Sequence, residues 1–355
     1  MEFAIAYPAR PDAWKDLVIA KDNGFVQCWF YDSQMLYSDV YVTMALAAEH
    51  TKRIRLATGV AIPSNRIEPV TAHSIATINL LAPGRTILGI GTGFTGRNTM
   101  GLPPITADRL RSYVGMVRKL LHGDEVLYHE GKRDRWIRLL HQDRGFINLK
   151  NQIPIHIAAD GPKVLELAGE IGDGWMTVIS GPERFSEKFS LVKKGAATAG
   201  KDLKNFPTAI LTTGCVLRDG EKADSARVIE QMGPFAIVFL HALWEQSAVA
   251  SGIPESLGRL WQRYRDEYIA NSKTPADRRY LDVHEGHLVY MKPGEEKYVD
   301  ENLIRAMTLT GSPEEIIERI KALEAAGLKQ ISIQVVYPHG REMIEDFSRK
   351  VIAKY

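Results

Sequence analysis

Short apolar runs recur along this chain, and each leads into a stretch whose apolar residues fall at helical spacing. The runs are Phe3–Tyr7, Val26–Tyr31, Arg53–Val60, Thr86–Gly91, Ile155–Ala159, Trp175–Ile179, Thr208–Val216 and Gln330–Tyr337. Helical patterns occupy Asp12–Asn23, Asp39–Thr51, Glu68–Leu81, Ala107–His122, Pro162–Ile171, Glu183–Ala197, Pro313–Ala326 and Arg341–Ile352. Several carry end signals. Gly24 and Gly327 stop their helices, Thr106 is an N-cap, and Ser312-Pro313-Glu314-Glu315 is a capped, acidic first turn. A strand buried on both faces reads as a continuous apolar run, and its parallel neighbour is reached through a crossover, usually a helix. Eight such alternations predict an α/β fold, a (β/α)8 TIM barrel. The alternative, two doubly wound domains, lacks a Pro/Ser/Gly-rich linker to divide the chain.

Two stretches break the rhythm. Gly123–Asn151 is charged and reads as a hairpin or irregular excursion. Arg218–Thr310 has helical segments without a strand repeat, so the longest insertion, at about residues 218–310, follows the seventh strand. A barrel of this kind needs roughly 250 residues, and the reading is one domain over residues 1–355 with insertions. Barrel active sites lie at the carboxyl ends of the strands. That rule selects Tyr7, Asp32, Gly59-Val60, Gly91–Phe94, Asp160-Gly161, Ile179-Ser180, Gly214 and Tyr337. Trp29, Tyr31, Phe94 and Tyr337 are the aromatic candidates there, a weak pointer to an apolar or planar substrate.

Candidate chemistry narrows the picture mostly by exclusion. Gly91–Gly96 matches GxGxxG, but a dinucleotide fingerprint belongs to a first strand and opens a helix directly. Here it follows the fourth run, and Met100–Pro104 precedes the next helical pattern. Its glycines are read as allowing close backbone approach to another ligand. His284-Glu285-Gly286-His287 lacks the HExxH spacing that puts two ligands on one helix face, and reads as a surface or lid element. His73 reads as an ordinary helix residue. The chain has no GxSxG, CxxC or GxxxxGK[ST]. A bound organic cofactor is the economical source of reactivity in such an enzyme.

Composition agrees with a globular protein, with 45% hydrophobic and 25% charged residues. A net charge of +2 argues against nucleic acid or an anionic membrane as partner. No apolar run reaches the ~18 residues of a membrane span. The first residues lack the basic start and apolar middle of a signal peptide. Cys28 and Cys215 sit in apolar runs and read as buried free thiols. Together these point to a cytoplasmic location.

A set of segments, taken together, resembles the bacterial-luciferase-like superfamily of flavin- and deazaflavin-dependent oxidoreductases. They are Trp29–Met35, Tyr41–Val60, Arg85–Gly93, Arg109–Leu121, Pro154–Trp175 and Leu309–Gly327. The pattern is nearest to the branch that includes methylenetetrahydromethanopterin reductase. The resemblance implies a barrel with insertions, commonly homodimeric, that holds FMN or coenzyme F-420 at the strands' carboxyl ends. It implies a cis peptide at Gly59-Val60 beneath the middle ring of the cofactor. It also implies a phosphate turn at Ala159-Asp160-Gly161, assisted by Ile179-Ser180 and flanked by Gly91-Thr92-Gly93. Thr92 stands where bacterial luciferase has an arginine, so charge pairing with phosphate does not carry over. Arg97 is a substitute or a solvated loop residue, and Asp160 should turn its side chain aside, capping the next helix. Asp32 falls where F-420 enzymes place a polar residue near the ring, as a catalytic group or an Asx-turn.

The resemblance is read first as a two-component monooxygenase that uses reduced FMN, delivered by a separate flavin reductase, on a small organic substrate. The alternatives are an F-420-dependent reductase or dehydrogenase that transfers a hydride, and a non-catalytic flavin-binding protein. The insertion's Trp244, Trp261, Tyr264 and Tyr290 are read as a lid, as the insertion's own core or as a dimer contact.

Overall fold

The structure is a computed structural model and describes residues 1–245 and 255–355. The strands are β1 (Glu2–Pro8), β2 (Gln27–Tyr31), β3 (Arg55–Thr58), β4 (Thr86–Ile90), β5 (Val126–Glu130), β6 (Arg133–Ile137), β7 (Ile155–Ala158), β8 (Gly174–Val178), β9 (Thr208–Thr212) and β10 (Gln330–Gln334). All but β5 and β6 are parallel and close a barrel in the order β1-β10-β9-β8-β7-β4-β3-β2. Closure joins the two ends of the chain, with Glu2 opposite Gln330 and Ala6 opposite Gln334. The eight predicted runs are the eight barrel strands. Gly123–Asn151 contains the antiparallel hairpin β5–β6.

Between the strands lie α1 (Trp14–Asp22), α2 (Val40–His50), α3 (Glu68–Leu81), α4 (Phe94–Asn98), α5 (Ala107–Leu121), α6 (Pro162–Ile171) and α7 (Pro182–Thr198). The insertion carries α8 (Ala226–Ala236), α9 (Val238–Glu245), α10 (Glu255–Arg263), α11 (Arg279–His284) and α12 (Glu301–Met307), and the chain ends with α13 (Pro313–Ala325) and α14 (Gly340–Lys350). Caps fix the entries. Asp39 accepts from the Tyr41 and Val42 amides at 2.9 and 3.0 Å. Thr106 accepts from the Arg109 amide at 3.2 Å. Ser312 and Glu315 form a reciprocal capping box.

Alternation along each strand divides the side chains between two cores. Ala4, Ala6, Trp29, Tyr31, Ala57, Ile87, Met176 and Ala209 fill the barrel. Phe3, Ile5, Cys28, Phe30, Leu56 and Leu88 point outward under the helices. Both cysteines are free and buried. Among the described residues no helix is long and apolar enough to cross a membrane.

The ends of several runs differ from the sequence reading. β9 stops at Thr212 and β10 at Gln334, because the chain leaves the ladder to form the barrel mouth. One helix, α4, was not foreseen. Gly93, at φ 85°, turns Gly91-Thr92-Gly93 straight into it, and five residues are too few to show an apolar period.

Helices α6 and α7 pack backbone to backbone. A Cβ at Gly169 would lie 1.9 Å from the Val192 carbonyl oxygen, and one at Gly195 would lie 1.8 Å from that of Glu166. The contact sets how closely the two helices approach. Gly195→Ala must force them apart, and overpacking of this kind costs about 1–3 kcal/mol. Urea unfolding of the variant is expected to show that loss, and an unchanged midpoint would refute the contact.

Candidate functional site

A cavity of about 260 Å³ opens at the carboxyl ends of the strands. Its wall includes Asp32, Gly59, Val60, Gly91, Thr92, Gly93, Ala159 and Asp160, all singled out from the sequence. Gly161, Ile179 and Ser180, also singled out from the sequence, are not part of the wall, although they follow its Asp160 and Val178 along the chain. Gly161 and Gly181 are the N-caps of α6 and α7. The Ser180 hydroxyl oxygen is buried and has no hydrogen-bond partner among the described residues. Buried polar atoms are nearly always paired, so an orphan here calls for a ligand or water. The Gly59–Val60 peptide is cis, as the resemblance implied.

At Gly91 the cavity wall is bare backbone. A Cβ there would lie 3.1 Å from both the Ala158 Cβ and the Val60 Cγ2. The space in front of the strand end stays open only because this residue has no side chain.

Asp32 is 4% exposed. Arg66 reaches its two oxygens at 2.8 and 3.1 Å, and bonds Asp39 at 2.6 Å. The guanidinium carbon sits 4.8 Å from the centre of the Tyr41 ring. Burial raises the Asp32 carboxyl above its ordinary pKa, and the pull of Arg66 in the opposite direction is the smaller effect. Asp32 is thus an ion-paired wall residue and not the cap of an Asx-turn.

Asp160 does not cap α6, contrary to the sequence reading. It accepts from Thr177 Oγ1 at 2.9 Å and from the buried Lys188 ammonium. The lysine compensates its charge, which makes it tolerable beside an anion. Arg97 bonds the Pro103 carbonyl and holds its own loop instead of lining the cavity.

The insertion, left open by the sequence between a lid, its own core and a dimer contact, contributes part of the cavity wall. Its tip, Gly286-His287-Leu288, enters the barrel mouth. The Tyr37 hydroxyl donates to the His287 carbonyl at 2.7 Å, and Gln334 Nε2 donates to the Leu288 carbonyl at 2.9 Å. Leu288 packs against the barrel-filling cluster. It is the one described non-glycine residue with positive φ, at 62°, a backbone state that side chains disfavour. His287 Nε2 lies 3.3 Å from Thr95 Oγ1. His284 and His287 are buried, 2% and 4% exposed, so the His-Glu-Gly-His motif is a cavity wall and not a surface element. A second cavity, about 670 Å³, lies beyond and shares Tyr37 and His287 with the first.

Other candidates fall elsewhere. Trp29 lies inside the barrel beneath the cavity, with Nε1 on Gln330 Oε1 at 2.9 Å. Tyr337 is 59% exposed, and Tyr7 and Gly214 also stay off the wall. Tyr31 and Phe94 do line it. Trp261 and Tyr264 stack among Tyr268 and Tyr298 as part of the insertion's own core, whereas Tyr290 lines the second cavity.

Comparison with known proteins adds three kinds of finding. A family model described as luciferase-like monooxygenase matches residues 11–330. The chain is 29% identical over 347 residues to 5,10-methylenetetrahydromethanopterin reductase of Archaeoglobus fulgidus, covering 95% of this chain and 93% of that protein. It is 30% identical over 301 residues to the F-420-dependent glucose-6-phosphate dehydrogenase of Amycolatopsis mediterranei, covering 79% and 83%. Among solved structures, the F-420-dependent tetrahydromethanopterin reductase of Methanopyrus kandleri is similar with a TM-score of 0.71 at 23% identity over 100% of both chains. An FMN-bound Baeyer–Villiger monooxygenase from Pseudomonas putida is similar with a TM-score of 0.62 at 16% identity, over 100% of this chain and 98% of that one. These two structural likenesses bear on the fold.

Proposed function

The chain belongs to the luciferase-like monooxygenase family of flavin and deazaflavin oxidoreductases, and on that premise we propose that it is an F-420-dependent enzyme moving a hydride to or from a carbon substrate. The observation that carries this reading is the charge of the wall. Among the described residues that line the cavity there is no arginine or lysine. The phosphate of FMN is a monoester with up to two negative charges, and that of F-420 is a diester with one. Hydrogen bonds from backbone amides at helix starts, helped by a hydroxyl such as that of Ser180, suit the single charge better, since a dianion calls for a cationic partner. The relatives named as methylenetetrahydromethanopterin reductase and as F-420-dependent dehydrogenase support the same choice. This reverses the preference for a reduced-FMN monooxygenase drawn from the sequence alone.

The residues present fit such a group. Gly91 leaves open the space that a Cβ would fill, and Ser180 has a hydroxyl to offer. When bound, F-420 supplies a two-electron hydride carrier. Gly59, Val60 and Gly91 would hold the ring, and the turns at Asp160-Gly161 and Ile179-Ser180 the phosphate. Tyr37, Met176 and Leu288 exclude water from the reacting face. Arg66 holds the Asp32 carboxylate in place beside it.

The test is a titration of purified protein with F-420 and FMN, each oxidised and reduced, followed by absorbance and fluorescence. Binding of F-420 at least tenfold tighter than FMN is the expected result. Selective binding of reduced FMN would restore the monooxygenase reading and the need for a partner reductase.

A further inference from the structure

We infer that Asp160 is the specificity-determining residue for the cofactor's phosphate, and that its carboxylate repels a doubly charged monoester while tolerating a singly charged diester. The inference rests on the reading above for the turn that holds the phosphate, and deepens it. A wall without a cation only fails to attract a dianion. A fixed anion on the same wall works against one. Two cofactors with similar tricyclic rings are then told apart by the turn that both would use.

Asp160 stands between β7 and α6 and lines the cavity, as does Thr177 of β8. Its Oδ1 accepts from Thr177 Oγ1 at 2.9 Å and from the ammonium of Lys188, which reaches it from α7. These two groups bond the carboxylate from the elements around it, and Lys188 Nζ also lies 3.3 Å from Thr177 Oγ1. The partners of the ion pair are placed unequally. The Asp160 side chain is 57% exposed and that of Lys188 8%. Lys188 does not line the cavity. A ligand there therefore meets the negative end of the pair, with the positive end withheld.

The turn has little to set against that charge. Pro162 carries no N–H, and the Val164 and Leu165 amides donate to the Gly161 carbonyl at 3.1 and 2.9 Å. The start of α6 thus keeps few amides for a phosphate. Repulsion between fixed charges grows in proportion to the charge on the ligand. One charge can be met by the remaining amides and the Ser180 hydroxyl, because Lys188 cancels a share of the carboxylate's field. A second charge doubles the repulsion without gaining a cationic donor. An acid in a phosphate turn is a poor choice for binding any phosphate and a sound one for choosing between two.

The experiment titrates the whole protein with riboflavin, FMN and F-420, followed by fluorescence. Riboflavin has the ring and ribityl chain of FMN without the phosphate, so the ratio of FMN to riboflavin affinity reads the phosphate alone. In the wild type that ratio is expected to fall about tenfold between pH 5.5 and pH 8, as the monoester gains its second charge at about pH 6. Protein groups that titrate near the ring act on both ligands and cancel. Asp160→Asn is expected to raise the ratio at pH 8 by about tenfold or more and to remove its fall with pH, with riboflavin affinity within about twofold of the wild type. Lys188→Met, which keeps an apolar stem and removes the charge, is expected to lower the ratio further. A wild-type ratio that stays flat or rises with pH, or a folded Asp160→Asn variant with an unchanged ratio, would overturn the assignment. The wild-type series decides it even where a variant does not fold. Failure of F-420 to bind while the ratio behaves as stated removes the hydride-transfer reading and leaves the charge selection standing.

Discussion

Gly91→Val weakens F-420 binding by about a thousandfold, or about 4 kcal/mol, while leaving the protein folded. The residue follows β4 directly at the cavity wall, and even a single Cβ would sit 3.1 Å from Ala158 and from Val60. Those neighbours can give by a few tenths of an ångström for one carbon. The two further methyl groups of valine have only the cavity to occupy, where the ring would lie. Some loss of stability accompanies the crowding, about 1–3 kcal/mol for an overpacked site, so binding and thermal unfolding are measured on the same sample. Gly91→Ala should show a smaller loss of the same kind. Tight F-420 binding by the folded valine variant would mean that the ring lies elsewhere.

Acid destabilises this protein through histidines that fold neutral. Burial depresses the pKa of His156, on β7, from 6.5 to about 4. The unfolded chain therefore binds a proton between those values that the folded chain refuses. Stability from this site is complete above pH 6.5 and is lost as pH falls toward 4, by about 1.4 kcal/mol per unit and about 3 kcal/mol in all. His241 and His287, also depressed by burial, slope the same way. Urea unfolding at pH 7 and pH 4.5 should show a steep loss in the wild type and a shallower one in His156→Gln. Equal slopes in the two proteins would mean that His156 titrates normally in the folded state.

The barrel was legible in the sequence because parallel strands buried on both faces write themselves as apolar runs, and because Asp39, Thr106 and Ser312 mark helix starts locally. The glycine turns were legible for the same reason, since they follow directly from the runs. Partnerships across the fold were not. Asp32 was visible as a strand-end acid, but Arg66, 34 residues on, gave no sign of pairing with it. His287 lies 250 residues from the tyrosine that clasps it. Its motif is in plain view and, without metal spacing, reads only as a surface or lid element. The choice of cofactor was illegible in another way, because FMN and F-420 enzymes share the same glycines. The reading proposed above rests on a cavity wall without arginine or lysine among the described residues, and which loop residues stay off a cavity wall is a tertiary fact. Arg97, near the glycine turn in sequence, is held off the wall by its bond to the Pro103 carbonyl.

Because β1 lies between β2 and β10, it keeps one edge unpaired until β10 emerges from the ribosome. Pairings such as β2 with β3 can form early, but the ladder from Glu2 to Gln330 must wait for nearly the whole chain. Through that interval the nascent protein carries two open sheet edges, the kind of surface that invites pairing with another chain. Removing β10 would leave those edges open for good.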